Sequence, residues 1–249
     1  MLRIINLDFA TAPKAFALKL AVNLAGQIAG LFFIEAVAEP VFSAVPYIRP
    51  ASFTSREVSI GSGEVALGRT LTVPIGTGPF PAAVLVKRTW AHPGTLQPVT
   101  VDTETIDDAV GAVGLLRSAP EVNRDKVFVI GHSLGAGLAP EIAPRAHADG
   151  VVMLAPPRAP VPQTIVRQFR YLHAPPAEIP ETDRKARLIM AKSLPPTDFF
   201  HGAPASYWYD LDSRDEVAFA RKLGKPMLIL RGTATFRWRP TISRCGGSV

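Results

Sequence analysis

Short apolar runs alternate with stretches of helical periodicity over most of this chain. Four runs are almost unbroken, as is typical of strands buried on both faces of a parallel sheet: residues 81–86, 126–130, 150–155 and 225–231. Helices are predicted at 103–118, 164–173, 184–194 and 213–224. Because strands alternate with helices, we predict an α/β fold with a mostly parallel sheet and helices on both of its faces.

The N-terminal part differs from this core. Residues 1–50 are predicted to form a small appendage, with a strand at 27–33, that ends in a proline-containing linker. The main domain then begins at residue 51. Alternating apolar and polar residues at 56–60 and 65–73, on either side of a Gly-Ser-Gly turn, predict a β-hairpin at its start.

Two features are predicted late in the main domain, 51–249. Residues 156–212 lie between two core strands, which is where lids over active sites are inserted. The helix at 213–224 has Ser213 as its expected N-cap and Glu216 at the capping-box position. We therefore expect a lid followed by a well-delimited helix that leads into the last core strand.

Composition and charge exclude several classes of protein. Apolar residues make up 47% of the chain, which excludes a disordered protein, and a single cysteine, Cys245, excludes an internal disulfide framework. No histidine or cysteine cluster has zinc-ligand spacing, so we expect no metal site. The net charge of +6 comes from scattered lysines and arginines, so we expect no nucleic-acid partner.

An apolar run at residues 20–34 resembles a signal peptide in part. Ala36 and Ala38 follow it as a possible cleavage motif, but Asn23 and Gln27 interrupt the run. The run is also too short and too polar to span a membrane. We expect a soluble protein without a membrane partner, with a cytoplasmic location favoured and secretion left open. The sequence leaves the oligomeric state open.

The chemically specific motif is Gly131-His-Ser-Leu-Gly135, directly after the apolar run 126–130. A serine between two such glycines, at a sharp strand-to-helix turn, has its hydroxyl exposed at the end of a sheet. Gly131 and Gly135 have no Cβ that could clash in such a turn. Ser133 is therefore the candidate nucleophile.

With this motif in its strand–helix context, the chain resembles the α/β-hydrolase superfamily. It is most similar to bacterial esterases and to dienelactone-hydrolase-like or S33-peptidase-like proteins with a small N-terminal domain. The residues that carry the resemblance lie at 28–33, 79–86, 100–109, 127–135 and 226–232. The resemblance implies an α/β-hydrolase fold, with residues 1–50 as a remnant of the N-terminal domain plus a linker.

The resemblance also implies a reaction. It is hydrolysis of a small-molecule ester, thioester or amide through an acyl-serine on Ser133, without a cofactor. The backbone N–H of Leu134 would supply one oxyanion donor. Carboxylic esters are the substrates we favour, and the sequence leaves the particular ester open.

The chain departs from the family pattern at two places. A histidine-glycine oxyanion loop is expected after Val86, but Lys87-Arg-Thr-Trp90 follows, and no room remains before Lys126 for the usual further helix and strand. Where a Gly-x-x-Asp turn is expected, Gly232-Thr-Ala-Thr235 stands, and no histidine follows His201. We therefore expect an internal deletion, an altered, truncated C-terminus and little esterase activity.

Other histidines are poor substitutes for the missing base. His132 adjoins Ser133, but its side chain is expected to point away and to pack. His201, in the predicted lid, is the least unsuitable surrogate, and His92, His147 and His173 suit surface or loop positions. Two alternatives therefore stay open: an inactive α/β-hydrolase-like protein or gene remnant, and, more weakly, a basic module that binds anionic surfaces.

Overall fold

The structure, a computed structural model, describes residues 2–7, 16–22, 28–35, 46–63, 66–84, 99–172 and 176–231. The chain divides into two compact units. The first comprises residues 1–77 and 87–97, and the second comprises residues 78–86 and 98–249.

Antiparallel strands make up the first unit. Strands β1 (Leu2–Leu7), β2 (Phe16–Val22) and β3 (Ile28–Glu35) form a three-stranded sheet with β2 in the centre. The strand predicted at 27–33 corresponds to β3. Strands β4 (Phe53–Ile60) and β5 (Leu67–Pro74) pair over their full length, which confirms the predicted hairpin.

Parallel strands and helices alternate in the second unit. In chain order the elements are β6 (Phe80–Val84), α1 (Asp107–Ser118), β7 (Val122–His132), α2 (Leu134–Arg145), β8 (Gly150–Leu154), α3 (Val161–Tyr171), α4 (Glu178–Met190), β9 (Phe199–Phe200), β10 (Ala203–Pro204), α5 (Ala205–Asp212), α6 (Glu216–Lys222) and β11 (Met227–Leu230). Strands β11, β8, β7 and β6 form a sheet in that order, and every neighbouring pair is parallel. The predicted α/β fold with a parallel sheet is confirmed.

The sheet core follows the two-residue period of its strands. Val127, Val129, Val151 and Met153 are buried, and the intervening residues of β7 and β8 are half-buried. Helices α1 and α2 contact β7, and α2 also contacts β8. A π-helical turn, Asp102–Ile106, leads directly into α1. The most buried part of the sheet thus carries the strand that ends at Ser133.

Strand β6 pairs directly with β7. In the described segment between them, 99–121, the chain forms the π-helical turn and α1 but no strand. The sequence junction at residues 87–90 lies outside the described residues. Among the described helices, none combines the length and apolar character needed to cross a membrane.

The long excursion between β8 and β11 is also present, with two differences from the sequence prediction. Helix α4 begins at Glu178, six residues before the predicted start, and 205–212 forms α5, which we did not predict. The N-cap of α6 is Asp215, whose side chain accepts from the Ala218 N–H at 2.8 Å. Ser213 instead ends α5, where its hydroxyl donates to the Asp210 carbonyl. The predicted N-cap role of Ser213 was therefore wrong.

Candidate functional site

Ser133 occupies a strained turn between β7 and α2. Its backbone has φ 53° and ψ −119°, a conformation that non-glycine residues rarely adopt. Its N–H donates to the Leu154 carbonyl at 2.9 Å, and its carbonyl accepts from the Ala136 N–H at 2.9 Å. Because these bonds join the turn to both β8 and α2, Ser133 is held at the C-terminal edge of the parallel sheet. The predicted strand–turn–helix placement is confirmed.

The two glycines of the motif contribute unequally to this turn. A Cβ on Gly131 would lie 2.0 Å from the Gly135 carbonyl oxygen and 2.6 Å from the Ala136 nitrogen, so the end of β7 touches the first turn of α2. A Cβ on Gly135 would have no neighbour within 4 Å. The close approach therefore requires a glycine at position 131 only, which corrects our expectation that both positions need one.

Ser133 lies at the N-terminus of a helix. Ser133 is half-buried, and Leu134 is the first residue of α2. The first N–H groups of a helix have no intrahelical acceptor and are available to an anion. Among the residues that the structure describes, no side chain forms a hydrogen bond with the Ser133 hydroxyl. The described residues thus place the Ser133 hydroxyl beside the first N–H groups of α2.

The three described histidines lie in different environments. His201 makes edge contacts with Phe169 and Phe200, each with ring centroids 4.7 Å apart, and burial lowers its pKa. Helix α2 has 12 residues and is therefore about 18 Å long at 1.5 Å per residue. Ser133 precedes one end of this helix, and His147 follows the other end. His132 has an exposed side chain, so the packing role that we expected for it was wrong. His92 and His173 lie outside the described residues.

A carboxyl group that we did not single out as a site residue lies against the same helix. A Cβ on Gly137 would be 2.5 Å from Oε1 and Oε2 of Glu216, so the α6 side chain covers the second turn of α2. Glu141 lies one turn further along α2, on the same face as Gly137. Burial, and secondarily the charge of Glu141, raises the pKa of Glu216 to about 7. Gly137, the next glycine after Gly135, was the sequence signal for this close approach.

An ion-pair cluster joins the excursion to the core beside this contact. Arg214, with its side chain 10% exposed, pairs with Glu141 at 2.8 Å, with Asp210 at 3.0 Å and with Asp102. Arg145 also pairs with Asp102 and Glu141. Burial alone would raise the pKa of Asp102, but hydrogen bonds from Arg214 and Arg145 outweigh it and hold that pKa below its ordinary value. The cluster therefore fixes the segment before α6 on α2.

Buried polar contacts fix α5 as well. The Tyr207 hydroxyl donates to Glu104 in the π-helical turn, and the Trp208 Nε1–H donates to the Phe200 carbonyl at 3.0 Å. Burial and the charge of Glu104 raise the pKa of Tyr207. A carboxylate of Asp210 accepts from the Val101 N–H at 2.8 Å. This part of the predicted lid is held on the core by specific bonds.

A cavity of about 260 Å³ opens between the start of α3, the end of α4 and the α5–α6 connection. Its lining is largely apolar, with prolines from the turn after β8, and Glu216 and Arg214 face it. Ser133 is not among its lining residues. Within the described residues, no group of three histidine, cysteine, aspartate or glutamate side chains could hold a metal ion.

Replacing Glu216 with glutamine should change how stability depends on pH. The raised pKa means that the folded chain binds one more proton than the unfolded chain between pH 4.5 and about 7, so the free energy of unfolding falls as pH rises through that window. At pH 8 the glutamine variant should be more stable than the parent by roughly 1–2 kcal/mol, after allowance for solvent screening. The two proteins should be equally stable below pH 4.5.

Urea denaturation at several pH values measures this difference, and Glu181→Gln, on the exposed face of α4, is the matched control. If the free energies of unfolding of Glu216→Gln and the parent differed by a constant amount from pH 4.5 to 8, the assignment of the raised pKa to Glu216 would be contradicted.

A family profile and a curated esterase both match this chain. The profile of a family described as the alpha/beta hydrolase family matches residues 74–245. Esterase EstD of Thermotoga maritima is 35% identical over 245 aligned positions, which cover 83% of this chain and 58% of that esterase. The chain thus spans less than two thirds of the length of this curated relative.

Two solved structures share low similarity with the chain. A hypothetical protein of Pseudomonas aeruginosa has a TM-score of 0.43 at 14% identity, over 74% of this chain and 78% of that one. Acetyl xylan esterase 1 of Thermoanaerobacterium sp. has a TM-score of 0.35 at 13% identity, over 92% and 71%. Scores at this level carry no functional conclusion.

Proposed function

The chain belongs to the alpha/beta hydrolase family, and from this premise we propose that it is a serine hydrolase of the carboxylesterase type with Ser133 as its nucleophile. The observation that carries the proposal is the positive φ of Ser133 between a parallel strand and a helix. Such a turn projects a serine hydroxyl from the sheet edge. The 35% identity to an esterase supports a carboxylic ester, rather than an amide, as the substrate class.

The chemistry proposed for this site needs no cofactor. Ser133 Oγ attacks the carbonyl carbon of a small-molecule ester, and the Leu134 N–H donates to the oxygen that becomes negatively charged. The alcohol then leaves, and water hydrolyses the acyl-serine. Both steps need a base to accept a proton from Ser133 or from water.

We further propose that this chain is an impaired esterase because that base, the acid that orients it and the second oxyanion loop are missing. The environments of His147 and His201 support this proposal, since His147 lies beyond the far end of α2 and His201 packs against two phenylalanine rings. The alignment with EstD also supports it. Since 83% of 249 residues is about 207, about 38 of the 245 aligned positions have no residue of this chain opposite them. A helix and strand with their loops need about 30 residues.

The test is hydrolysis of p-nitrophenyl acetate by the purified chain and by Ser133→Ala. Enzymes that lose a triad residue but keep an intact oxyanion hole retain about 10³–10⁴-fold catalysis over water. Because the second oxyanion donor is proposed to be missing as well, we expect the chain to fall below that level. We also expect Ser133→Ala to make no measurable difference, since a serine without a base stays protonated.

Turnover by the parent chain that disappears in Ser133→Ala would overturn the impaired reading while supporting Ser133 as the nucleophile. His201→Ala would then show whether that histidine is the base. Turnover that Ser133→Ala leaves unchanged, well above the buffer rate, would instead contradict the role of Ser133. The fully inactive family member is the alternative.

A further inference from the structure

A groove of about 230 Å³ runs between α3 and α4; Ser133 does not line it, and it shares only Met190 with the cavity beside Glu216. Apolar side chains of Val166, Ala186 and Met190 line it. Arg167 and Arg170 of α3 and Arg187 of α4 line it as well, with Asp183 as an acidic neighbour. The groove therefore joins an apolar floor to a basic rim.

The rim has more positive than negative charge. Asp183 pairs with Arg187 at 2.6 Å and with Arg170 at 3.4 Å, through different carboxylate oxygens. Arg167 is exposed and has no ion-pair or hydrogen-bond partner among the described residues. One carboxylate thus faces three guanidinium groups, so the groove has a formal surplus of two positive charges.

We propose that this groove binds a medium-chain carboxylate, with the carboxylate on the arginine rim and the hydrocarbon chain on the apolar floor. The planar guanidinium group matches a carboxylate through paired hydrogen bonds. Asp183 already pairs with Arg170 and Arg187, and Arg167 lines the same groove. The apolar floor distinguishes an aliphatic acid from a bare anion.

Size and charge narrow the ligand further. The groove is smaller than the roughly 300–1,000 Å³ of sites for drug-sized ligands, which favours a short or medium aliphatic chain. A protonated amine of the same length would be repelled by the surplus positive charge. An alcohol would gain only the apolar contact. Because no residue of the groove belongs to the Ser133 turn, binding is independent of the proposed esterase reaction.

The test titrates the full chain separately with octanoate, octanol and octylamine and measures binding of each probe by ligand-observed NMR. We expect octanoate to bind about tenfold more tightly than either of the other probes, and its affinity to fall as salt is added. Arg167→Gln and Arg187→Gln should each weaken octanoate binding about fivefold. The matched control is Arg184→Gln, because Arg184 lies on α4 outside the groove and pairs with Glu181. It should bind octanoate like the parent.

The proposal would be overturned if octanoate did not bind at 10 times the concentration at which octanol binds, or if the two bound with equal affinity. It would also be overturned if Arg167→Gln and Arg184→Gln lowered the affinity for octanoate equally. Ser133→Ala separates this proposal from the esterase proposal. If the groove is a distinct site, Ser133→Ala binds octanoate like the parent whether or not the parent hydrolyses esters. Loss of binding in Ser133→Ala would place the ligand at the serine instead and refute the groove.

Discussion

Replacing Gly131 with alanine is expected to lower the free energy of unfolding by about 3 kcal/mol or more, the upper range for overpacked sites. The added Cβ would lie 2.0 Å from the Gly135 carbonyl oxygen, which is backbone and cannot rotate away as a side chain can. Relief requires the end of β7 and the first turn of α2 to separate. That separation would also break the turn that holds Ser133, so chemical denaturation should show both lower stability and a less cooperative transition.

Gly135→Ala is the matched control for this substitution. A Cβ there would meet nothing within 4 Å, and alanine has a higher helix propensity than glycine. We expect a change between zero and a gain of about 1 kcal/mol. Equal destabilisation by the two substitutions, measured by urea denaturation with circular dichroism, would show that β7 and α2 do not approach each other at Gly131.

Replacing Arg214 with methionine is expected to cost about 3–5 kcal/mol, as when one partner of a buried ion pair is removed. Methionine keeps much of the length of the side chain but leaves Asp102, Asp210 and the buried Glu141 without this guanidinium. Glu141, with a side chain 4% exposed, would then depend on Arg145 alone. The loss should therefore come mainly from a buried carboxylate that has lost a charged partner.

Arg184→Met provides the comparison, since Arg184 and Glu181 form an exposed pair on α4. Such pairs contribute at most about 1 kcal/mol, so this variant should unfold close to the parent. The cost of Arg214→Met should shrink when the pH is lowered, because Arg214 helps to hold the pKa of Asp102 below its ordinary value and a protonated Asp102 no longer needs the arginine. Equal effects of the two substitutions in urea denaturation at pH 7 would contradict the buried cluster.

The sequence predicted the features that depend on local pattern. The four parallel strands were predicted from apolar runs. The turn at Ser133 was predicted because the glycine motif directly follows one of these runs in the sequence. Helix α5 was missed because Tyr207 and Trp208 are held by bonds to distant residues, Glu104 among them, rather than by helical periodicity.

Contacts between distant positions explain the other misses. Ser213 and Asp215 are both good N-cap residues, so local sequence alone could not choose between them. Arg214, which lies between them, is tied to Asp102, 112 residues earlier, and this helps to fix where α6 begins. The contact of Glu216 with Gly137 is likewise non-local. No partners of Ser133 could be derived from the sequence, because other residues stand where the family pattern has its oxyanion loop and its acid, at 87–90 and 232–235. Both junctions lie outside the described residues.

Under our proposal, Ser133 is a correctly presented nucleophile in an esterase that lacks its base and its second oxyanion loop. Ester hydrolysis by a graft tests this proposal. In the graft, the EstD residues that supply the expected oxyanion loop, helix and strand are inserted after Val86, and the EstD segment that follows the strand equivalent to β11 replaces residues 232–249. We predict turnover of p-nitrophenyl acetate that Ser133→Ala abolishes, whereas the graft with the C-terminal segment alone stays inactive. A complete graft that folds, by circular dichroism and gel filtration, but shows no turnover dependent on Ser133 would contradict the claim.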